Sequence, residues 1–397
     1  MTVNANADGF VRSGFEAVAE EFARNFSQRG ELGAAFAVVL DGELVVDLWG
    51  GLADRRKQRP WQQDTLQLIF SGTKGLVAVC LLMLIDRGEL DLDAPVCRYW
   101  PEFSAAGKSD VTVRQVVSHT ARLPGLTATV SSDDLADDVR MARLLAGQVQ
   151  FEDPRAARTY HALTYGWLCG EVLRRIDGRS IGRFFAEEVA APLGLDLFIG
   201  LPGRFESRVS RLELADTWGA SPVFRSGRGD RDDLQRAVWA NPVIWAADAF
   251  RWNDRLYHAA EIPGANAIGT ARSIATLYGN LDRLVSPDVL RMGCTELERR
   301  HEPLLDEPQS FGVGVELQTR VRALGPPPDA FGHTGAGGSV HGAWPAHRVG
   351  FSYAMNLMRD DQREGDVRPK ALLEALHTCV GHPPAIAAQQ PPRAVPE

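Results

Sequence analysis

Leu68-Ile69-Phe70-Ser71-Gly72-Thr73-Lys74-Gly75-Leu76-Val77 opens an apolar run that continues to Ile85 and stops at Asp86-Arg87-Gly88. The run is too long for a strand and holds no proline, so it predicts a buried helix. Ser71 stands at its start and Lys74 follows three residues later. Residues i and i+3 share a helix face, so hydroxyl and amine can meet at the positive end of the helix. The chain writes nearly every cation as arginine and holds only the lysines Lys57, Lys74, Lys108 and Lys370. Arginine keeps its proton, whereas a lysine inside an apolar helix can give it up. An unassisted serine is a poor nucleophile at neutral pH and needs such a base beside it. The S-x-x-K spacing is common by itself; its place at the mouth of a buried helix gives it weight.

On the N-terminal side, Phe10, Phe15, Val18, Phe22 and Phe26 recur at helical spacing, which predicts an amphipathic helix over residues 10–29. Two apolar runs, 34–40 and 43–51, flank Asp41-Gly42, a strong hairpin signal. The chain thus opens helix, strand, turn, strand. On the other side, Thr112 caps a short helix leading to His119. Helices are expected over 133–149, 164–176, 180–189, 269–281 and 372–380. His119 reads as a hydrogen-bonded structural histidine and Asn356 as the cap of a turn. Residues 200–262 are irregular, with charges clustered at Arg225 to Arg236. They carry Trp218, Trp239, Trp245 and Trp252, candidates for the wall of an apolar pocket. Three strands follow near the end, at 311–317, 331–340 and 349–356. The first two strands and these three are expected to share one antiparallel sheet. The middle third is then an inserted helical lobe. The expected division is 1–70 with 264–382 as the sheet part, 71–263 as the helical part, and 383–397 as a disordered Pro/Ala/Gln-rich tail.

The bulk numbers narrow the function classes. The 397 residues are 45% hydrophobic and 24% charged, ordinary for a globular protein with a large core. A net charge of −8 argues against nucleic acid or anionic membrane as partner. Five scattered cysteines without a C-x-x-C pair suit a reducing compartment, and no signal-peptide core or membrane span is evident, so a cytoplasmic location is expected. The one G-x-S-x-G match, Gly178-Arg179-Ser180-Ile181-Gly182, follows a helical pattern rather than a strand and so does not make a nucleophile elbow, and no P-loop, dinucleotide fingerprint or metal-ligand spacing occurs, so no cofactor or metal is expected. Acyl transfer on Ser71 needs two donors for the oxyanion, and the Ser71 amide is one. A strand edge built from small residues, His333-Thr334-Gly335-Ala336-Gly337, is the candidate source of the second and of a backbone rail for substrate.

Three motifs in order, Ser71-x-x-Lys74, Tyr160-His161-Ala162 with Gly166 six past the tyrosine, and His333-Thr334-Gly335, resemble those of the class C β-lactamases and penicillin-recognising serine hydrolases. Flanking text such as Asp86 to Pro95, Val117 to Thr120 and Tyr353 to Asn356 agrees, over roughly residues 10–380. Within that group the chain looks most like the family VIII carboxylesterases. The resemblance implies an α+β fold, a central antiparallel sheet flanked by helices with an inserted, mostly helical domain. It implies Ser71 as acyl nucleophile, Tyr160 with Lys74 as the proton-transfer pair, and the amides of Ser71 and Ala336 as the oxyanion hole. Substrate would lie on His333, Thr334 and Gly335, with Trp252 in the pocket wall. Which of Lys74 and Tyr160 is the base stays open, and Tyr165 is a rival for the tyrosine role. Two departures stand out. Ala162 replaces the usual asparagine, and His333 replaces the lysine that opens the third motif. Both point from anionic amides toward neutral short-chain esters. The alternatives are an amidase of the β-lactamase or D,D-peptidase type, an acyltransferase, and an inactive binding relative.

Overall fold

The computed structural model describes residues 7–220, 224, 231–321, 324–360 and 365–381. The expected tail and the stretch Arg225 to Asp230 lie outside them. A ten-stranded antiparallel sheet organises the chain. Its strands are β1 (Ala7–Val11), β2 (Gly33–Leu40), β3 (Glu43–Asp54), β4 (Glu298–Glu302), β5 (Glu307–Phe311), β6 (Glu316–Leu317), β7 (Phe331–Gly335), β8 (Ser339–Trp344) and β9 (Val349–Met355). They run in the order β1-β3-β2-β9-β8-β7-β6-β5-β4, and Arg59–Pro60 adds a short tenth strand on β3. The two ends of the chain meet at β2 and β9, where Tyr353 pairs with Phe36.

The Asp41-Gly42 hairpin forms as expected, with φ of 53° and 79° at its two central residues. Both being positive matches the primed turn whose twist suits a two-residue hairpin. The N-terminal expectation needs correction. Residues 7–11 form a strand against β3, and helix α1 spans only Glu16–Gln28. Phe10 is 45% exposed on that edge strand, so it never belonged to the helical stripe of Phe15, Val18 and Phe22. The expected strand at 311–317 is in fact the end of β5, a turn through Gly314, and β6.

One face of the sheet is covered by α1 and the C-terminal helix α5 (Val367–Gly381), which enclose a core around Phe22, Phe36, Phe351 and Leu376. A larger core on the other side is built around α2 (Thr73–Asp86) and α3 (Thr164–Asp177). Every residue of α2 from Thr73 to Leu84 is buried. A helix apolar on all sides can only sit inside a protein, so the chain has placed Lys74 where water does not reach. Helix α4 (Ala271–Tyr278) lies against β9 and β2. Among the described residues, no helix is long and apolar enough to cross a membrane.

Candidate active site

Ser71 is not in α2 itself but in the 3-10 turn Phe70–Gly72 that feeds it. Phe70 has φ of +47°, a region that non-glycine residues rarely occupy. The turn is held from several sides. Ile69 N–H donates to Ala267 O at 3.0 Å, Gly72 N–H to Ile69 O at 3.0 Å, and Ala267 N–H to Thr73 Oγ1 at 2.8 Å. It is also pressed onto the sheet. A Cβ on Gly72 would stand 2.6 Å from the His341 ring, and one on Gly335 would stand 2.4 Å from Ile69 O. Strain of this kind persists only where the surroundings over-determine the backbone, and here they fix the direction of the Ser71 side chain.

Lys74 is fully buried. Its Nζ lies 2.7 Å from Ala162 O, 2.6 Å from Gly264 O and 3.1 Å from Ser71 Oγ. Two N–H bonds are thus committed to carbonyls. The third direction faces the serine, either with a hydrogen on an ammonium or with the lone pair of a neutral amine. In the second form the amine accepts the serine proton. The Gly264 carbonyl reaches Lys74 because Gly166, in the first turn of α3, has no side chain. A Cβ there would be 2.0 Å from Gly264 N. The glycine six residues past Tyr160 therefore serves the lysine.

Tyr160 lies over the lysine, with Lys74 Nζ 4.8 Å from its ring centroid. Its hydroxyl is 3.4 Å from His333 Nε2. His333 Nδ1 lies 2.7 Å from Thr334 O, so Nδ1 carries the hydrogen and Nε2 can accept from the phenol in the neutral ring. The buried Glu316 carboxylate accepts from Thr334 N–H at 2.7 Å and Thr334 Oγ1–H at 2.8 Å, and stands 3.6 Å from His333 Nδ1. His333 is fully buried, so its ring backs the tyrosine rather than facing the cleft. Tyr165, the rival tyrosine, is fully buried and stacks on His119, and burial pushes its phenol well above the usual range.

Two supports of Tyr160 are absent from the motifs. The Tyr160 amide donates to Glu302 Oε1 at 3.0 Å, from a strand that the sequence pattern does not reveal. The polar run Glu298-Arg299-Arg300-His301-Glu302 has no apolar alternation to mark it. His119 packs on the Tyr160 ring at 4.7 Å and accepts the His161 amide at 3.2 Å. It is a wall beneath the tyrosine as well as a structural link. Burial drives both imidazoles toward the neutral form, His119 well below its usual range and His161 to about 3.

A cleft of about 760 Å³ opens above these groups. Ser71, Tyr160 and Ala162 form its floor, and Thr334, Gly335 and Ala336 one edge. Gly338 N–H closes the turn after β7 on Gly335 O at 3.2 Å, which places Ala336 at the bend. The apolar wall is Phe224, Trp239 and Trp245. Trp252 is elsewhere. It is fully buried behind that wall, 5.1 Å from Trp245 and 5.2 Å from Phe70, and supports the serine turn rather than the cleft. Asn356 Nδ2 donates to Leu52 O at 2.8 Å, joining a strand end to β3, a structural role.

The family model described as Beta-lactamase matches residues 18–376. The chain belongs to the beta-lactamase family. Among solved structures, a family VIII carboxylesterase is 38% identical, covers 94% of this chain and 99% of its own, and superposes with a TM-score of 0.84. A penicillin-binding protein homolog from Caulobacter crescentus is 35% identical with a TM-score of 0.83 and covers 94% and 99% of the two chains. Esterase/beta-lactamase LipL of Mycobacterium tuberculosis is 34% identical over 348 residues, 86% of this chain and 80% of its own. The α+β fold and the resemblance drawn from three motifs hold, and this beta-lactamase family chain is a hydrolase.

Proposed function

We propose that the protein is a serine carboxylesterase that hydrolyses neutral short-chain acyl esters through an acyl-enzyme on Ser71. The observation that carries this is Lys74, whose Nζ stands 3.1 Å from Ser71 Oγ with its other hydrogens on two carbonyls. In this reading Ser71 Oγ gives its proton to the Lys74/Tyr160 pair as it bonds to the ester carbonyl carbon. The oxyanion is held by the amides of Ser71 and Ala336. The pair returns the proton to the alcohol oxygen as the C–O bond breaks. Water then repeats the sequence and frees the carboxylic acid. The chain is read as two parts, 1–70 with 264–382 and 71–263, with Ser71 at their junction.

Esters are favoured over amides by the floor of the cleft. Ala162 offers a methyl group where an amide-binding asparagine would stand, and its carbonyl is committed to Lys74. The relatives named as esterases support the same choice, while the name of the mycobacterial one keeps β-lactam turnover as a second reading. The test measures p-nitrophenyl butyrate and a chromogenic cephalosporin in parallel, with wild type and Ser71→Ala. Ester turnover that exceeds cephalosporin turnover and vanishes in Ser71→Ala is expected. Ester turnover surviving that substitution would overturn the mechanism, and faster cephalosporin turnover would favour the second reading.

A further inference from the structure

Arg300 sits at the centre of β4 and is 6% exposed. Its Nη1–H donates to Ser118 O at 2.9 Å. Its Nε and Nη2 are buried and meet no acceptor among the described residues. Glu298 and Glu302, two residues to either side, attract the charge across space but accept no hydrogen bond from it, and Glu302 is committed elsewhere. Its Oε1 takes the Tyr160 amide and its Oε2 takes the amides of Leu304 and Leu305. A buried guanidinium left with one hydrogen bond is costly to the fold. Burial lowers its affinity for its proton to a pKa of about 10, which still leaves it charged at neutral pH.

What this charge faces is the underside of Tyr160. The guanidinium carbon is 5.1 Å from the Phe311 ring centroid, and Phe311 stacks on Tyr160 at 6.0 Å and 12°. Ser118, which holds Arg300, adjoins His119, and His119 touches both Phe311 at 4.5 Å and Tyr160 at 4.7 Å. From the opposite side Lys74 Nζ is 4.8 Å from the tyrosine ring. Between the two cations lie His119 and His161, both held neutral by burial and by those same charges. The other ionisable neighbours are Glu298 beside Arg300, His333 at the hydroxyl with Glu316 behind it, Tyr165 beyond His119, and Glu302 at the amide; the acceptor nitrogen of His333 favours the phenol and works against the two cations. Of these carboxylates, Glu302 is pushed by burial toward its protonated form.

We propose that Arg300 is a positioning residue for ester hydrolysis: its buried charge, held by a single hydrogen bond and acting across Phe311 with Lys74 on the far side, favours the phenolate of Tyr160 and so prepares Tyr160 to take the Ser71 proton. The proposal rests on the serine-esterase reading above and assigns Tyr160 as the base. A costly buried charge close behind a reacting group is what a functional site retains against the interest of stability. Phe311 excludes water between the two groups, which keeps the interaction from being screened.

The test is the pH profile of kcat/KM for p-nitrophenyl butyrate in Arg300→Met and Arg300→Gln. A unit charge acting through an effective dielectric near 20 at this kind of separation shifts a titration by about one pH unit. Removing the cation makes the phenol harder to ionise, so the acid limb moves to higher pH by about that much, with the rate recovered above it. A purely structural role would lower the rate at every pH and leave the limb in place; that result overturns the proposal. Should both variants fail to fold, the wild-type phenols are titrated directly with ring-labelled tyrosine, Tyr160 being assigned through Tyr160→Phe. A Tyr160 phenol titrating below the ordinary value near 10 is expected, and one at or above it refutes the idea. Tyr160→Phe and Ser71→Ala separate the two levels. Full activity in either removes the underlying reading, whereas inactive controls with an unmoved limb remove Arg300 alone.

Discussion

Gly166→Ala adds a single methyl group in the first turn of α3, and two effects oppose each other. Alanine raises helix propensity by at most about 1 kcal/mol over glycine. The new Cβ, however, would stand 2.0 Å from Gly264 N and 2.4 Å from Pro263 C. These are backbone atoms, so they cannot swing aside as a side-chain end would. Overpacking of this kind costs about 1–3 kcal/mol. Moving Gly264 also pulls its carbonyl from Lys74 Nζ, now at 2.6 Å, and a hydrogen bond to a charged or strongly polar group contributes roughly 1.5–3 kcal/mol. The losses exceed the gain, so net destabilisation on the order of 2 kcal/mol is expected. Catalysis suffers more, because a displacement near 1 Å of a catalytic group costs on the order of 100-fold. Gly170, one turn further along α3, is the control. A Cβ there meets nothing closer than 3.6 Å, so Gly170→Ala keeps full activity and gains a little stability. The assay is kcat/KM on p-nitrophenyl butyrate alongside a melting curve for both variants. A Gly166→Ala protein with wild-type activity and melting temperature would refute the reasoning.

Glu302→Gln leaves an NH₂ group facing at least one backbone N–H of Tyr160, Leu304 or Leu305, at a cost of about 1–3 kcal/mol. A lower melting temperature together with a lower kcat is expected, and an unchanged kcat would show that the carboxylate does not place Tyr160. Trp245→Phe enlarges the apolar wall and shifts the preference toward longer acyl chains, by up to about tenfold in a hexanoate-to-acetate ratio of kcat/KM. Trp252→Phe, behind the wall, leaves that ratio alone; the reverse pattern would mean the wall is misassigned. Fully buried His161 and His341 have their pKa values lowered by burial to about 3, and His119 is lowered as well. The unfolded chain therefore binds protons that the native state refuses as pH falls below the ordinary histidine value near 6.5. Stability is full above that pH and falls toward pH 3 by about 1.4 kcal/mol per pH unit for each such group. Chemical denaturation between pH 7 and 4 reads this directly, and a flat profile would show that these histidines are not held neutral.

Local chemistry was legible, and so was the one antiparallel sheet shared by the two ends of the chain, whereas the edge strands at 7–11 and 298–302 were not. Asp41-Gly42 announces its hairpin because the turn demands positive φ at both residues. The serine helix is readable because an apolar run of that length has one stable solution. By contrast, Phe10 continues the spacing of α1 by coincidence, and only pairing with β3 shows that residues 7–11 are a strand. Strand β4 is made of charged residues, and its burial follows from the fold above it rather than from its own composition. The same limit applies to the site. Ser71, Lys74 and Gly166 sit at short, meaningful spacings. Glu302 and Arg300 act on Tyr160 from more than 100 residues away in the chain and belong to no motif. Trp252 and Trp245 are indistinguishable as letters, and only packing puts one in the wall and the other behind it.

The central claim is a covalent acyl group on Ser71. Wild type and Tyr160→Phe, quenched in acid within the first turnover of p-nitrophenyl butyrate, are digested and weighed peptide by peptide. The expected result is one butyryl group on the peptide that contains Ser71 in wild type, with far less in Tyr160→Phe and none in Ser71→Ala. Steady ester hydrolysis without that adduct in wild type, or an adduct on another residue, would contradict the account.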